Sequence, residues 1–318
     1  MNQKSLALIF PGYGAQHRGM LRDLQQLSEV RIELARLLDA AEALSGLQLT
    51  RIAESGPDAL LAEVRVAFPL LFIADYLWAH AARRAGLRPQ IMAGHDVGEY
   101  AALAHAGVVS VTAALDLVIR LSKLLEESVR GSDGATLVVL GLSAASVSAL
   151  LSENSANSAD DISLQVWISC DNSDDQVAVG GLRGALEALE PRLRAAGARQ
   201  TTLLPRIGAL NTPLVGAAAV LYRRVLEQTE LRDARIPVIM NTTALAATVN
   251  TDFLDPLAIQ TARCIRWRET CARIARTAPV ICVESGPGST LSDLNDTDDQ
   301  VEYYSLAQSG IIKLLNRL

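Results

Sequence analysis

Four short, mainly apolar runs most constrain how this chain can fold. They lie at residues 6–10, 90–94, 236–240 and 279–283. Stretches between the runs, such as 70–85, 97–105 and 112–129, carry apolar residues at helical spacing. Runs that are apolar throughout are typical of strands buried on both faces. Their alternation with helices predicts an α/β fold class with a parallel sheet covered by helices.

The pattern changes between about residues 133 and 205. Two β-rich runs, Thr136–Leu140 and Gln176–Gly180, are each followed by a helical stretch rich in Ala and Leu. This order predicts a small α+β subdomain inserted into the larger one. We therefore divide the chain into residues 1–132 and 206–318, which form the large subdomain, and 133–205, which form the small one.

Composition narrows the class of protein. The chain has 318 residues, of which 50% are hydrophobic, so it can bury a large core. Its net charge of −6 gives no reason to expect binding to nucleic acid or to an acidic membrane. The N-terminal apolar run is too short for a signal peptide or a membrane span. We expect a soluble, cytoplasmic protein.

The cysteines and histidines indicate neither a metal site nor a cofactor. The four cysteines have no CxxC spacing and no histidine at the spacing of a metal site, so we expect reduced thiols in a reducing compartment. They are Cys170, Cys264, Cys271 and Cys282.

A glycine-flanked acidic residue lies between a predicted strand and a predicted helix. The segment Gly94-His95-Asp96-Val97-Gly98 has the setting of a nucleophile elbow, in which small flanking residues permit a strained turn. The turn exposes the central side chain, and the N–H that follows can stabilise an oxyanion. Asp is also a favoured helix N-cap, so an ordinary turn capped by Asp96 stays equally open on these residues alone.

Residues 94–110, GHDVGEYAALAHAGVVS, resemble the acyltransferase signature GHSxGEYaALxxAGvls with one change at the centre. Other segments match the same family in order. They are 10–16 with 19–20 (similar to FPGQGSQ…GM), Asn172 (Nsp.q block), 236–241 (VPVxxN) and 284–288 (ExGPG). The chain thus resembles malonyl-CoA:acyl carrier protein transacylases and polyketide-synthase acyltransferases from about residue 5 to 291.

The resemblance implies both a fold and a partner. The fold is an α/β-hydrolase-like core with a parallel sheet, carrying an inserted ferredoxin-like small subdomain. The partner is an acyl carrier protein with a phosphopantetheine-tethered acyl chain. Polyketide synthase modules are a further partner that the resemblance allows.

Four positions depart from what the resemblance implies. Asp96 stands where the family has its nucleophilic serine, and Asn211 where it has the histidine base. Leu121 takes the position of the arginine that pairs with malonyl carboxylate, and Phe68 that of a glutamine before Pro69. Ordinary malonyl transfer is therefore not expected, because nucleophile, base and carboxylate partner are all absent.

Part of the acyl-binding machinery does not depend on side chains. The resemblance puts the oxyanion donors on the backbone N–H groups of Tyr13 and Val97, which survive any side-chain change. Leu121 and Phe68 make the substrate pocket more apolar than an arginine and a glutamine would. A longer, uncharged acyl chain would suit such a pocket.

Three roles are open to Asp96. As a general acid or base it would move a proton on a β-hydroxyacyl or enoyl chain, giving dehydration, isomerisation or ring closure. As a nucleophile it would form a mixed anhydride, which Asn211 cannot help to hydrolyse. As a helix cap it would do no chemistry. We favour acid/base work. The direction of its pKa shift is open, since a helix N-terminus favours the carboxylate and an apolar pocket favours the acid.

Other polar residues accompany these candidates. His95 belongs to the family's GHS pattern and is interpreted as structural. His17 follows the first loop, where surface exposure is the favoured interpretation and an approach to the site is the alternative. Asn211 either orients Asp96 or substrate through its amide, or fills the space of the histidine. The candidate carrier-docking residues surround Trp267, and their other interpretation is a solvated helix face. They are Arg263, Arg266 and Arg268.

Two function classes follow. The first is an enzyme acting in trans on carrier-tethered intermediates of polyketide or related biosynthesis, with Asp96 as general acid or base. The second is a non-catalytic relative that binds a carrier protein or synthase. An acyl hydrolase or transferase that uses Asp96 covalently is a further alternative. A deep pocket that keeps its two backbone donors would favour the enzyme, and a pocket filled by Phe68 and Leu121 would favour the binding protein.

Overall fold

The computed structural model describes residues 4–152, 165–204, 207–277, 280–294 and 301–316. The strands, in chain order, are β1 Ser5–Phe10, β2 Ile91–Gly94, β3 Gly134–Leu140, β4 Val166–Ser173, β5 Gln176–Leu182, β6 Gln200–Leu204, β7 Val238–Ile239, β8 Ala246–Ala247, β9 Val280–Glu284 and β10 Val301–Ser305.

The α-helices of the described residues lie between these strands and after the last one. They are α1 Arg22–Gln26, α2 Arg31–Ser45, α3 Leu49–Ser55, α4 Asp58–Leu61, α5 Val64–Arg84, α6 Gly98–Ala106, α7 Val111–Val129, α8 Ala144–Ser152, α9 Arg183–Ala195, α10 Gly216–Glu227, α11 Leu254–Ile259, α12 Trp267–Ala275, α13 Thr290–Leu294, α14 Leu306–Ser309 and α15 Ile311–Leu315.

The larger sheet has the strand order β10-β9-β1-β2-β7-β8. Its strands pair in parallel except β8, which runs antiparallel to β7 at the edge. Strands β1 and β9 are almost completely buried, because helices cover both faces of the sheet. The mixed α/β class with a parallel sheet, predicted from the four apolar runs, is confirmed.

Helix α5 is the central helix of the main core. It begins at Val64, six residues before the predicted start, so Pro69 lies inside it and has no N–H to donate to the preceding turn. Its length and composition alone would suit a membrane span, but 83% of its most apolar window is buried by the rest of the chain. That burial is typical of a core helix.

A second, antiparallel sheet has the strand order β4-β5-β3-β6. With α8 between β3 and β4, and α9 between β5 and β6, the chain order is βαββαβ, the ferredoxin-like arrangement. All four strands come from residues 134–204. The division at 132/133 stays a prediction, and the one at 205/206 lies outside the described residues.

The register of the parallel strands brings three loops to one edge of the larger sheet. Phe10 at the end of β1 pairs with Gly94 at the end of β2, and Ile9 pairs with Glu284 at the end of β9. The segments that follow, starting at Pro11, His95 and Ser285, therefore emerge side by side. Ligands of open α/β sheets bind at this carboxyl edge.

Candidate active site

The turn that carries Asp96 is a tight elbow between β2 and α6. Asp96 has a φ of 51°, in the left-handed region that few residue types adopt without strain. A Cβ on Gly94 would lie 2.1 Å from the Gly98 carbonyl carbon, and one on Gly98 would lie 2.4 Å from the Phe10 carbonyl oxygen. The two glycines are thus required by the close approach of three backbone segments, and they hold Asp96 at the tip of the turn.

Three donors lie near the Asp96 carboxyl group and favour its charged form. They are the backbone N–H groups of Val97 and Tyr13 and the side-chain amide of Asn211. Asp96 is 7% exposed, and burial raises the pKa of its carboxyl, while neighbouring His95 and the three donors lower it. The two N–H groups that the resemblance implies for an oxyanion therefore lie beside the Asp96 side chain.

Two amides hold the backbone of the elbow from behind. The Gln260 side chain donates to the Asp96 carbonyl oxygen at 2.7 Å, and the Asn241 side chain donates to the same oxygen at 3.2 Å. The Asn241 backbone N–H in turn donates to the Glu99 carboxyl at 2.7 Å. Burial raises the pKa of Glu99 to about 8, so this carboxyl is mostly uncharged at neutral pH.

Asn211 is tied into the same network. It also has a positive φ, 57°, which Asn tolerates better than most residues. One proton of its amide goes to the Gln260 carbonyl oxygen at 3.1 Å, which leaves the other for the Asp96 carboxyl. Because an amide does not titrate, Asn211 can orient Asp96 but cannot accept a proton from it.

His95, which also lines the cleft, is held by two contacts to neighbouring side chains. Its Nε2 lies 2.9 Å from Oδ1 of Asn172, and its ring meets the Trp267 ring edge-on. An amide oxygen only accepts, so the Nε2 of the neutral imidazole carries the proton. Burial lowers the pKa of His95, which keeps the ring uncharged. The ring therefore joins the elbow to β4.

A cleft of about 930 Å³ opens between the two sheets and reaches Asp96. Its floor is formed by Gly12, Tyr13, Gly14, His95 and Asp96. Its apolar walls include Val138, Leu140, Ala178, Leu204, Ile207, Leu210, Ala272, Leu291 and Leu294. This volume is large enough for a phosphopantetheine-sized chain or a drug-sized ligand.

The cations of the cleft already have partners. The lining includes two arginines, Arg199 and Arg268. Arg199 forms an ion pair with Asp175, and Arg268 is held by Asp171 at 3.0 Å and by Asp174 at 3.6 Å. Among the described residues that line the cleft, no lysine or arginine is left without a carboxylate, so the cleft offers no free cation to a malonyl carboxylate.

The chain is similar in sequence to a known protein family over most of its length. A family model described as "Acyl transferase domain" matches residues 7–308. The malonyl CoA-acyl carrier protein transacylase of Haemophilus influenzae is 30% identical over 295 residues, 92% of this chain and 91% of that protein. The chain belongs to the acyl transferase domain family.

Solved structures of this family agree over the whole chain. The malonyl CoA-acyl carrier protein transacylase of Coxiella burnetii has a TM-score of 0.89 at 26% identity, covering 99% of this chain and 98% of that one. A type II PKS acyl-carrier protein in complex with its malonyl-transacylase gives a TM-score of 0.89 at 28% identity, covering 99% and 100%. The acyltransferase fold implied by the sequence motifs is confirmed.

Two of the predicted pocket residues lie elsewhere in this acyl transferase family member. Phe68 on α5 and Leu121 on α7 are each 1% exposed and belong to the main core. Neither is among the described residues that line the cleft. Both side chains are packed in the core, and their assignment to the substrate pocket stays a prediction.

The remaining predicted residues differ in position. Asn172 lines the cleft, whereas His17 is exposed, bonds through Nδ1 to the Ala15 carbonyl at 3.2 Å, and is not part of the lining. Arg266 pairs with Glu269 at 2.7 Å. Arg268 pairs with Asp171 and Asp174, as described above. Arg263 is exposed.

Sequence reasoning missed the residues that hold the elbow in place. Asn241 and Glu99 stand in the matched segments 236–241 and 94–110, so the signal was present, but their function as supports was not predicted. Gln260 lies outside every matched segment. It interacts with both Asp96 and Asn211, across 164 and 49 residues of sequence, and only the fold reveals that.

Two thiols of the cleft are poor nucleophiles. Cys170 and Cys271 line it, and burial raises the pKa of both, that of Cys271 to about 12. A thiol that stays protonated does not attack a thioester. The group that combines exposure to the cleft with adjacent oxyanion donors is the Asp96 carboxyl, and the chemistry that this arrangement supports is proton transfer.

Proposed function

We propose that this protein acts in trans on acyl chains tethered to an acyl carrier protein, with Asp96 as general acid/base, and that it does not transfer malonyl groups. The single observation that carries the proposal is a buried carboxyl at an elbow, open to a cleft of about 930 Å³ and adjoined by two backbone N–H donors. Dehydration, isomerisation and ring closure of a thioester all need this combination.

The direction of the pKa supports acid/base work. Burial raises the pKa of Asp96 above that of an exposed carboxyl. A raised pKa makes the carboxylate a stronger base than an exposed aspartate. In the reaction, the carboxylate takes the proton from the carbon α to the thioester, and the electrons of that C–H bond move into an enolate whose oxygen the N–H groups of Tyr13 and Val97 stabilise. When a β-hydroxyl is present, the enolate electrons form the Cα=Cβ bond, the Cβ–O bond breaks, and the protonated Asp96 gives its proton to the leaving oxygen, which departs as water.

The cleft's lining supports an uncharged acyl chain. Apolar side chains from both sheets form its walls, and its two arginines are paired with carboxylates. A malonyl carboxylate would enter without a partner, at a cost of several kcal/mol if it stayed ionised. Similarity to malonyl CoA-acyl carrier protein transacylases supports an acyl carrier protein as the partner. Polyketide biosynthesis as the setting, and a cytoplasmic location, remain part of the proposal.

Intact-protein mass spectrometry tests this function. Carriers loaded with malonyl, β-hydroxyacyl and enoyl chains are incubated with wild type, Asp96→Asn and Asp174→Asn. The last variant is the matched control, because its carboxyl is 89% exposed at the mouth of the cleft. We expect loss of water from the β-hydroxyacyl carrier with wild type and the control, and none with Asp96→Asn. Equal turnover by Asp96→Asn would overturn the proposal.

One observation favours a second function, a non-catalytic carrier-binding protein. The N–H groups of Tyr13 and Val97, which would bind a thioester carbonyl, lie beside the Asp96 carboxyl and favour its charged form. If the carboxylate holds these N–H groups, no donor pair is left for the thioester carbonyl, and the cleft binds the pantetheine arm without activating it. The same mass measurement separates the two: a carrier that binds and keeps its mass with wild type supports the binding protein.

A further inference from the structure

We infer that the Ser169 hydroxyl binds an oxygen on the β-carbon of the acyl chain, so that the cleft selects β-oxygenated chains over unsubstituted ones. This inference rests on the proposed function and adds the class of substrate to it. It follows from a bulge that places Ser169 in the cleft, from a hydroxyl that has no partner there, and from the position of Ser169 relative to the elbow.

A bulge in β4 brings Ser169 into the cleft lining. Ile168 pairs with Val179 of β5, and the next pair along the two strands is Cys170 with Ala178. Ser169 is therefore an extra residue on β4 with no partner on β5. In a regular strand successive side chains point to opposite faces of the sheet, but here Ser169 and Cys170 both line the cleft. Bulges that redirect a side chain in this way are frequent next to active sites.

The Ser169 hydroxyl has no hydrogen-bond partner in the described part of the chain, although the residue is only 1% exposed. The thiol of its neighbour Cys170 is a weak donor and a weak acceptor, so it is no substitute for an oxygen. Thr136, another buried hydroxyl of the lining, donates to the Gly208 carbonyl at 2.7 Å. Because nothing holds the Ser169 hydroxyl, it can rotate about its Cα–Cβ bond toward a ligand. A ligand that supplies the missing partner gains affinity, since an unpaired buried hydroxyl is unfavourable.

Ser169 lies close to the elbow that carries Asp96. The Ile265 N–H donates to the Ser169 carbonyl at 2.9 Å. The next N–H, of Arg266, donates to the Asn241 carbonyl at 2.9 Å. The Asn241 side chain donates in turn to the Asp96 carbonyl at 3.2 Å. Two consecutive residues thus link the bulge to the elbow, and both Ser169 and Asp96 line the same cleft.

The two ends of the cleft determine which part of the substrate meets Ser169. The phosphopantetheine arm connects the acyl chain to a carrier outside the protein, so it leaves through the mouth, where the Asp174 side chain is 89% exposed. Ser169 is buried at the inner end. With the thioester at the elbow, the acyl chain occupies that end. Its β-carbon is two bonds beyond the carbonyl carbon and is the first position past the reacting α-carbon that can carry an oxygen.

A serine hydroxyl suits a β-oxygen chemically. It donates one proton to a keto oxygen and accepts one from a hydroxyl. Its neighbours Cys170, Ala178 and Ile265 belong to a buried apolar cluster, in which a hydrogen bond is stronger than in water. A chain without the oxygen would leave the hydroxyl unpaired, and sites built in this way discriminate against such a chain. Ser169 is therefore a specificity-determining residue for the proposed reaction.

The test is the binding of two unreactive thioesters that differ by one oxygen. S-(hydroxypivaloyl) pantetheine has a β-hydroxyl, S-pivaloyl pantetheine lacks it, and neither has an α-hydrogen to lose. Isothermal titration compares wild type, Ser169→Ala and Ser173→Ala. Ser173 is the matched control, because it lines the cleft on the same strand but its hydroxyl already accepts from the Asp175 N–H at 3.3 Å. We expect wild type and Ser173→Ala to bind the hydroxylated thioester about tenfold more tightly, and Ser169→Ala to bind both equally.

Stability gives a second readout. Because the Ser169 hydroxyl has no partner to lose, the urea midpoint of Ser169→Ala should equal or exceed that of wild type. A hydroxyl with a merely structural role would instead give a lower midpoint and leave the ratio of the two affinities unchanged.

The outcomes distinguish this inference from the proposed function. Equal affinities in wild type, a preference that persists in Ser169→Ala, or no binding of either thioester at millimolar concentration would overturn the inference. Asp96-dependent loss of water from a β-hydroxyacyl carrier would in that case leave the proposed function standing. A preference that Ser169→Ala abolishes, without any turnover by wild type, would support the role of Ser169 and refute the proposed reaction.

Discussion

The two sides of the elbow differ sharply. On the side of the antiparallel sheet, Asp96 and Asn211 face an open cleft, with backbone donors and amides around them. On the side of α5 and α7, Phe68 and Leu121 are part of a closely packed core. The first side is open and lined by polar and apolar groups, while the second is buried and apolar.

This difference teaches how a reaction can change within one fold. The resemblance assigns an arginine to position 121 and a glutamine to position 68, and both positions now add to core packing. The positions that it assigns to serine and histidine hold polar residues that still adjoin the oxyanion donors. The proposed function therefore assigns carboxylate recognition and thioester activation to separate parts of the molecule.

The largest expected effect is a loss of stability when a charge is placed in the core formed by α5 and α7. Leu121→Arg places a cation in a site that is 1% exposed, and we expect it to lower the free energy of unfolding by about 4 kcal/mol or more, or to prevent folding. Leu121→Met is the control and should cost under about 1.5 kcal/mol. Urea denaturation measures both. A stable Leu121→Arg protein that gains malonyl transfer would show that a carboxylate pocket exists there.

The next effect concerns the carboxyl beneath the elbow. The folded-state pKa of Glu99, about 8, lies above its ordinary value of 4.5, so the folded protein binds the proton more tightly than the unfolded chain. Stability is therefore full below about pH 4.5 and is lost as the pH rises toward 8. We expect Glu99→Gln to remove this loss. The free energy of unfolding of the variant should match that of wild type at pH 5 and exceed it by about 2–4 kcal/mol at pH 9.

Urea denaturation at both pH values measures that difference. Asp174→Asn, which alters an exposed carboxyl, should leave the profile of wild type unchanged. If the unfolding free energies of wild type and Glu99→Gln changed with pH in parallel, the pKa of Glu99 would be the same in the folded and the unfolded protein. That result would contradict the burial of an uncharged Glu99 beneath the elbow.

A smaller effect comes from the support that the sequence did not reveal. Gln260→Leu removes the 2.7 Å bond to the Asp96 carbonyl, and we expect a loss of about 1–2 kcal/mol in stability. Turnover of acyl carriers should fall about tenfold or more, since the carboxyl loses its position. Gln25→Leu, which breaks an exposed bond to Glu54, is the control and should change neither. Equal activity of the Gln260→Leu and Gln25→Leu variants would show that Gln260 does not position Asp96.

The smallest expected effect is on carrier affinity, and it differs between two arginines of the predicted docking patch. Arg268 already binds Asp171 and Asp174, whereas Arg263 is exposed. We expect Arg263→Ala to weaken carrier binding about two- to threefold at low salt and Arg268→Ala to change it less, because rim charges act mainly on association. Isothermal titration with the loaded carrier measures both. A larger loss for Arg268→Ala would reverse this ranking.

The fold was predictable because local patterns determine it. Apolar runs such as 6–10 and 90–94 formed parallel strands, and the glycines around Asp96 formed the elbow. The pairing of β7 was shorter than predicted, Val238–Ile239, because only two of its residues align with β2. The supports of the site could not be predicted, since Gln260 meets Asp96 across 164 residues through the fold alone.

The burial of Phe68 and Leu121 could not be predicted from the sequence for the same reason. Matched positions indicate which residue a relative has there, but not how an apolar side chain packs in this core. The positive φ of Asp96 was also beyond sequence reasoning, because it depends on the close approach of neighbouring backbone segments.

Deuterium incorporation tests the central claim most directly. A carrier loaded with a butyryl chain is incubated in D₂O with wild type, Asp96→Asn or Asp174→Asn, and the mass of the released phosphopantetheine arm is followed over time. Proton transfer by Asp96 predicts deuterium at the α-carbon with wild type and Asp174→Asn, and at least about a hundredfold slower exchange with Asp96→Asn. Exchange at the same rate in Asp96→Asn, or none above background with wild type, would contradict the account.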